Sequence, residues 1–496
     1  MLKRSSVIAV ALASVSWLAV SAGSASAETL QEALALAYRT NPSLLAQRAN
    51  QRALDETIPQ ARAAWRPTID LTAGAQYSRT DIQGSGSGTG VVESDTGSLT
   101  LGVSQTLYSG GRIGHSVSAA EANVLAGREN LRSVEQQILA SVIQAYVGVQ
   151  RDMQILQIRQ DNLAVLRRQL DESNARFEVG EITRTDVAQS ESRLASSEAD
   201  LANAQAQLSV TRANYAAVVG QAPTNLVTPP ALPGVPTDFE QALDIGLAEN
   251  PTLVAADFSL QAAEARVAAA RSAYLPQAGL TASYGGSGDL TQFDLADRSS
   301  LTVGGQISIP LFTGGLNASR VAQALETANA AKITIDGERR GVLQDVSSAF
   351  AQLISARATV TAGNEAVRAA TVAAEGVRQE AQVGLRTTLD VLNQELELRA
   401  AQVQLVSAVA NEYIAQASLL SAMGRLEGPD LVPSLEVYDS AANTDAVRGR
   451  GALPWDGVLE TIDRIAAPLV TPTPQGAQAP IDTQLKSDIV KTAPRS

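Results

Sequence analysis

The chain contains no cysteine and a single histidine, His115. Without thiols there are no disulfides, so the fold must hold by packing and by association with other chains. One imidazole and no thiolate remove most transition-metal sites and histidine-based catalysis. No other acid/base or nucleophile constellation stands out, so an enzyme is the weakest reading: no catalytic residue, no metal ligands and no cofactor are expected. Aromatic residues make up only 4%, while alanine recurs through the helical stretches, which suits close helix packing better than a bulky globular core. Net charge is −13, which argues against nucleic acid as a partner. Beyond the first residues no run of about 18 apolar residues occurs, so a spanning helix is not expected.

The chain opens with Lys3 and Arg4, an apolar stretch from Val7 to Val20, and the small residues Ala25-Ser26-Ala27. This pattern predicts a secretory signal over 1–27 and a mature chain starting at Glu28.

What the rest of the chain holds is a match to itself. Residues 30–73 align without gaps onto 239–282, pairing Ala33 with Ala242, Asn41-Pro42 with Asn250-Pro251, Arg62 with Arg271 and Leu71 with Leu280. Farther along, Gly110-Gly111 matches Gly314-Gly315, Gly180 matches Gly384, Asp186 matches Asp390 and Gly220 matches Gly424. The change of offset falls in a hairpin, where a loop can change length at little cost. We therefore read a first repeat at 28–220, a proline-rich linker at 221–237, a second repeat at 238–424, and a C-terminal segment at 425–496. In that segment the pattern decays, and Pro454, Pro468, Pro472, Pro474, Pro480 and Pro494 predict a mostly disordered tail over its last 40 or so residues.

Four stretches alternate with a period of two. Ile69, Leu71, Ala73, Ala75 and Tyr77 share one face, as do Leu99, Leu101, Val103 and Leu107; the second copy repeats this with Ala278, Leu280, Ala282 and Tyr284, then Leu301, Val303, Ile307, Ile309 and Leu311. Each stretch is roughly 10 to 12 residues, the length a tilted strand needs to cross a bilayer. Their connections, 79–97 and 285–299, are rich in Gly, Ser and Asp and read as loops. A soluble sandwich would show the same alternation. In hydrocarbon, however, an open sheet edge strands backbone groups at several kcal/mol each, so four membrane strands must join copies of themselves into a barrel of eight, twelve or sixteen.

After Gly110-Gly111 nothing breaks a helical pattern until about Phe177, roughly 66 residues or about 100 Å. Val142, Val149, Leu156, Leu163, Leu170 and Phe177 recur every seventh position, and Val346, Leu353, Val360, Val367, Ala374 and Ala381 fill the matching column. Val187, Leu194, Leu201, Leu208 and Tyr215 form a third column, mirrored by Val391, Leu398, Leu405 and Leu419 with Glu412 as the exception. Four such columns predict extended coiled coils. A helix at 43–64 and one at 186–219 together nearly equal the long helix, so they are expected to stack end to end beside it, with the linker and the region after Gly424 filling the gap near mid-height.

Residues Leu107-Tyr108-Ser109-Gly110-Gly111 and Leu311-Phe312-Thr313-Gly314-Gly315, the two Asn-Pro pairs, and the turns Val179–Val187 and Val383–Val391 together resemble the TolC family of outer-membrane efflux and type I secretion channels. The likeness runs over nearly the whole mature length. It implies a fold that joins a membrane β-barrel to a long α-helical coiled-coil barrel: a homotrimeric tunnel with four strands per protomer and an internal twofold repeat, placed in the outer membrane of a Gram-negative bacterium and reaching into the periplasm. It implies contact with outer-membrane lipid, with a periplasmic adaptor protein, and with an inner-membrane transporter, either ABC or proton-driven, whose protein or small-molecule cargo the tunnel exports.

The same resemblance makes the two turns the inner tip. Val179, Gly180, Thr183, Val383, Gly384, Leu385, Arg386 and Thr387 would dock the adaptor. Arg386 aligns with an arginine that holds the entrance shut, Thr185 and Asp186 with its cross-protomer partners, and Asp390 with an acidic ring, while Asn393 stands where a second acidic ring is often found. Ala381 replaces an aromatic that commonly helps the lock. From the residues themselves, Gly180 and Gly384 suit a tight helix turn, Thr183, Thr387 or Thr185 can cap the next helix, and Asp186 and Asp390 can complement its dipole. His115 reads as a surface residue, and the string Gly84, Gly86, Gly88 and Gly90 follows no strand-to-helix junction, so phosphate binding is not expected. The competing reading is an exported coiled-coil structural or surface filament protein, which leaves four amphipathic strands without a purpose; a periplasmic adaptor would not account for the duplicated turns.

Overall fold

The computed structural model describes residues 28–82, 90–290 and 299–472. The expected leader at 1–27 lies outside them, as do 83–89, 291–298 and 473–496. In chain order, α1 (Leu30–Thr40), α2 (Pro42–Asp55) and α3 (Thr57–Ala63) precede β1 (Thr68–Ile82), β2 (Gly90–Tyr108), α4 (Arg112–Glu178) and α5 (Arg184–Val219). The same order follows in α6 (Phe239–Glu249), α7 (Pro251–Arg271), β3 (Gln277–Asp289), β4 (Ser299–Ser308), α8 (Leu316–Gln382) and α9 (Thr388–Ala422). Three short helices come last: α10 (Gly428–Leu431), α11 (Ala442–Arg448) and α12 (Asp456–Asp463).

Helices α4 and α8 are each 67 residues long, or about 100 Å. The Asn-Pro pairs set how shorter helices stack beside them. Asn41 Oδ1 accepts from the Ser43 amide at 3.0 Å, with Pro42 opening the helix, while its Nδ2 donates to Val218 O at 3.0 Å. Asn250 does the same between Thr252 N and Ala422 O, at 3.0 and 2.9 Å. One side chain therefore caps the start of a helix and satisfies a carbonyl at the end of another, joining α2 to α5 and α7 to α9 end to end. The helix expected over 43–64 is in fact two, α2 and α3, with the break at Glu56. Helix α7 lies against both α4 and α8, and α9 against both α8 and α4, so the halves interleave.

The seven-residue columns are buried where these helices meet; that of α4 loosens toward the far end, while Val187 and Val391 stay buried just past the turns. Val142, Val149, Leu163, Val346, Leu353, Val391 and Leu398 are buried, whereas Phe177 is exposed. Glu412, the exception, pairs with Arg357 of α8 at 3.6 Å, so an ion pair stands in for an apolar knob.

The main core lies at mid-height, where Tyr146, Tyr215, Phe239, Phe350 and Leu419 pack with Leu232 of the linker. Glu28 fastens the linker there. Its buried carboxylate accepts from Tyr215 Oη at 2.5 Å, Gln221 Nε2 at 2.8 Å, and the Thr224 amide and hydroxyl, both at 3.2 Å. Burial works to raise the Glu28 carboxyl, but these donors override it and hold it below the usual glutamate value. The sign follows: a depressed native value gives stability that is complete above about pH 4.5 and is lost as pH falls through the native value. Glu28→Gln should cost about 2 kcal/mol at neutral pH, because its amide group turns a donor toward the Thr224 donors; unfolding by denaturant checks this, and the cost should vanish in acid.

Among the described residues the strands form one antiparallel sheet in the order β1-β2-β3-β4. The register puts Ile69 opposite Val103, Leu71 opposite Leu101 and Leu101 opposite Tyr284, with Tyr284 opposite Leu301. One face is thus aliphatic and the other carries Asp70, Thr72, Thr100, Ser283 and Thr302. Leu71 is 65% and Leu301 70% exposed. The first two strands run past the expected limits, with β1 at 15 and β2 at 19 residues, so much of 79–97 is strand and not loop, whereas β4 ends at Ser308, short of Ile309 and Leu311.

The C-terminal segment differs most from expectation. It leaves mid-height at Gly424 and climbs along α2 and α3 to the sheet: Asn443 and Thr444 bond to buried Asp55 at 2.6 and 2.9 Å, Arg450 to Glu56 at 2.6 Å, and Asp456 to Arg66 at 3.0 Å. Asp463, 1% exposed, then closes the strand-to-helix junction. It accepts from the Ser109 amide at 2.5 Å, Ser109 Oγ at 2.9 Å, the Gly111 amide at 3.3 Å and Trp65 Nε1 at 3.1 Å. Of the last 40 or so residues, expected to be a mostly disordered tail, the described part, 456–472, is thus docked, because Asp456 and Asp463 find partners on distant segments. His115, expected at the surface, is half-buried beneath Ala467 and Pro468, and burial pushes its pKa down.

Candidate functional site

Each long helix ends in a glycine with a left-handed backbone, Gly180 at φ 78° and Gly384 at φ 80°. The chain reverses there because no Cβ opposes that conformation. Gly180 N donates to Phe177 O and Glu181 N to Arg176 O, at 3.0 and 2.9 Å; Gly384 and Leu385 repeat the pattern on Ala381 and Glu380 at 3.1 and 2.9 Å. These paired bonds are a Schellman closure, which satisfies the last carbonyls of α4 and α8.

Thr183 and Thr387 open the next helices, and Thr185 caps nothing. The Asp186 carboxylate accepts from the Thr183 amide at 2.9 Å and its hydroxyl at 2.8 Å; Asp390 accepts from Thr387 at 3.0 and 2.8 Å. These amides, then the hydroxyls, hold both carboxyls below the usual aspartate value, so both are charged at neutral pH. Thr183→Ala should destabilise the turn by about 1 kcal/mol, seen as faster hydrogen exchange at the amides of 183–188 with the mid-height core unaffected.

The two tips carry the same ion pair with its polarity exchanged. In the first, Arg176 at the helix end bonds Glu181 of the turn at 3.0 Å; in the second, Glu380 at the helix end bonds Arg386 of the turn at 2.8 Å. Glu380 raises the pKa of Arg386, which stays cationic. Val179, Val383 and Leu385 stand out into solvent, each more than 70% exposed. Within one chain, then, Arg386 is held in its own turn, Asp186 and Asp390 serve their own caps, and Thr185 is exposed. Asn393 is the residue that reaches across: its Oδ1 accepts from Arg193 Nη2 of α5 at 3.0 Å.

Behind the tips is a cleft of about 760 Å³ between the hairpins, lined by Arg168, Arg176, Glu181, Arg378, Ala381 and Arg399 among others. Glu395, 2% exposed, accepts from Arg378 and from Arg399, fixing the second hairpin near its tip. Arg193 and this cluster were not singled out from the sequence. The signal that could have found part of it is the i, i+4 spacing of Glu395 and Arg399. Among the described residues no group of acids and histidine is arranged to hold a metal.

The family model described as "Outer membrane efflux protein" matches residues 30–221 and 242–425. This chain belongs to that family. Among relatives of the efflux protein, the outer membrane efflux protein BepC of Brucella suis is 35% identical over 431 residues, covering 87% of this chain and 92% of BepC. The outer membrane protein TolC of Escherichia coli is 27% identical over 421 residues, covering 82% and 84%. In fold, the CmeC outer membrane channel of Campylobacter jejuni superposes with a TM-score of 0.71 at 15% identity, covering 84% of this chain and 89% of CmeC. The chain is accordingly an outer-membrane efflux protein.

Proposed function

We propose that three copies of this efflux protein close into one tunnel, twelve strands forming a barrel through the outer membrane and twelve helical rods continuing it through the periplasm. The carrying observation is the sheet: a solvent-exposed aliphatic face whose outer strands, β1 and β4, each keep one edge unpaired among the described residues. In hydrocarbon such edges cost several kcal/mol per unpaired group unless another copy pairs with them. The number three comes from the family resemblance. An internal twofold repeat is supported by the equal lengths of α4 and α8 and by the two separate stretches that one family model matches.

The tips form the periplasmic entrance. Arg386 reaches Thr185 and Asp186 of the neighbouring copy in the closed state, exchanging its tie to Glu380, and three copies of Asp390 make a cation-attracting ring. With Asn393 neutral and engaged by Arg193, and Ala381 small, closure rests on Arg386 more than on a second ring or an aromatic plug. Val179, Gly180, Thr183 and the Val383–Thr387 turn present an exposed surface to a periplasmic adaptor, which delivers protein or small-molecule cargo from an energised inner-membrane transporter, ABC or proton-driven. The mass of the detergent-solubilised protein and its conductance in planar bilayers test this: three chains and a closed, occasionally opening pore are expected. A mature monomer that stays dissolved without detergent overturns it.

A further inference from the structure

The outer surface of α12 is apolar although, among the described residues, it covers no other part of the chain. Trp455, Val458 and Ile462 are 46, 60 and 39% exposed, and at 100° per residue they share an arc of about 60°. Ile465 and Leu469 continue the strip at 64 and 85%. Leu459 and Asp463 turn inward. None of the helix's acids is left bare: Asp456 is bonded to Arg66 at 3.0 Å, Glu460 to Arg464 at 2.6 Å, and Asp463 to the junction.

A β-bulge shows on which side of the sheet this strip lies. The register of β2 against β3 shifts between Thr106 and Tyr108, so Tyr108 pairs with Ala278. Paired residues share a face, which puts Tyr108 on the aliphatic side with Leu280 and Ala282. Its hydroxyl donates to Ile465 O at 2.8 Å. The strip therefore follows the aliphatic face and not the polar one. Helix α12 also touches β2, an inner strand of the sheet, and α4.

We propose that residues 455–470 are a membrane-surface patch, lying on the periplasmic leaflet of the outer membrane with Trp455, Val458, Ile462, Ile465 and Leu469 among the lipid headgroups and upper acyl chains. This rests on the reading of the aliphatic sheet face as lipid-facing. Trp at such a boundary keeps an apolar ring in lipid and a wet N–H, and Arg464, 72% exposed at its side chain, can extend to phosphate. Asp463 supplies the rigidity, since it ties the helix to the backbone of the strand-to-helix junction. With no cysteine to carry an acyl chain, the patch sets the height of the barrel in the bilayer through side chains alone.

The test uses the full-length protein in phosphatidylethanolamine–phosphatidylglycerol vesicles whose acyl chains carry bromine near the headgroup. Tryptophan occurs at 17, 65 and 455 only, so the wild-type signal less that of Trp455→Phe reports Trp455. Most of that emission should be quenched. Leu71→Trp in the Trp455→Phe background reports the barrel wall separately. Quenching at position 71 but not at 455 overturns the patch and leaves the barrel standing; quenching at neither removes the barrel reading and the patch with it. A benzoylphenylalanine at Val458 should capture phospholipid on irradiation, and capture of a second copy of the chain instead would overturn the proposal.

Discussion

Cysteines at Thr185 and Arg386 will abolish export under oxidising conditions, and reductant will restore it. Both positions are exposed at the tips and sit on different hairpins, and the chain has no native thiol to confuse the pairing. A disulfide between neighbouring copies would replace a weak exposed ion pair with a covalent bond at each of three contacts. Transport that needs the tips to spread then falls to background. Normal export by a trimer shown to be fully crosslinked would remove the gate from these residues. The single variant Arg386→Cys, reduced, lacks the guanidinium proposed to reach Thr185 and Asp186 of the neighbouring copy and should leak, measured as a raised open probability in planar bilayers.

Asp463→Ala will be the most damaging substitution outside the helical core. Four donors converge on this carboxylate, from Ser109, Gly111 and Trp65. Alanine leaves the amides of Ser109 and Gly111 and the indole N–H buried without acceptors, at about 1–3 kcal/mol for each stranded group. The three together give roughly 3–9 kcal/mol, concentrated at the strand-to-helix junction. Hydrogen exchange at 109–113 and 456–465 should rise sharply while the Asn41 and Asn250 stacking points stay protected. Protection at the junction equal to wild type would show that α12 is held by other contacts. Asp463→Asn keeps one acceptor oxygen and should fall between the two.

These two sites differ in how far the sequence reveals them. The tip turns are local objects. Gly180 closes on Arg176 and Phe177, and Thr183 pairs with Asp186 three residues on, so every bond spans six residues or fewer. Asp463 is bonded to residues more than 350 positions earlier, and nothing in the spacing of its neighbours announces that. The same holds for Glu28, whose acceptors' role depends on Tyr215, Gln221 and Thr224, and for Arg193 with Asn393. Proline-rich composition suggested disorder in the final part of the C-terminal strap, yet composition measures how little apolar area a segment can bury by itself. It does not register the partners that Arg66 and Ser109 provide.

Periodicity and local capping determined, from the sequence alone, where the long helices and strands run, where they turn, and which sheet face is aliphatic; those properties depend on backbone geometry repeated over a few residues. The tertiary structure decided the interleaving of the halves, the course of the C-terminal strap and the side on which Tyr108 emerges. Such outcomes turn on contacts between distant segments and on a single inserted residue at a bulge. A pattern with a period of two or seven carries no information about either.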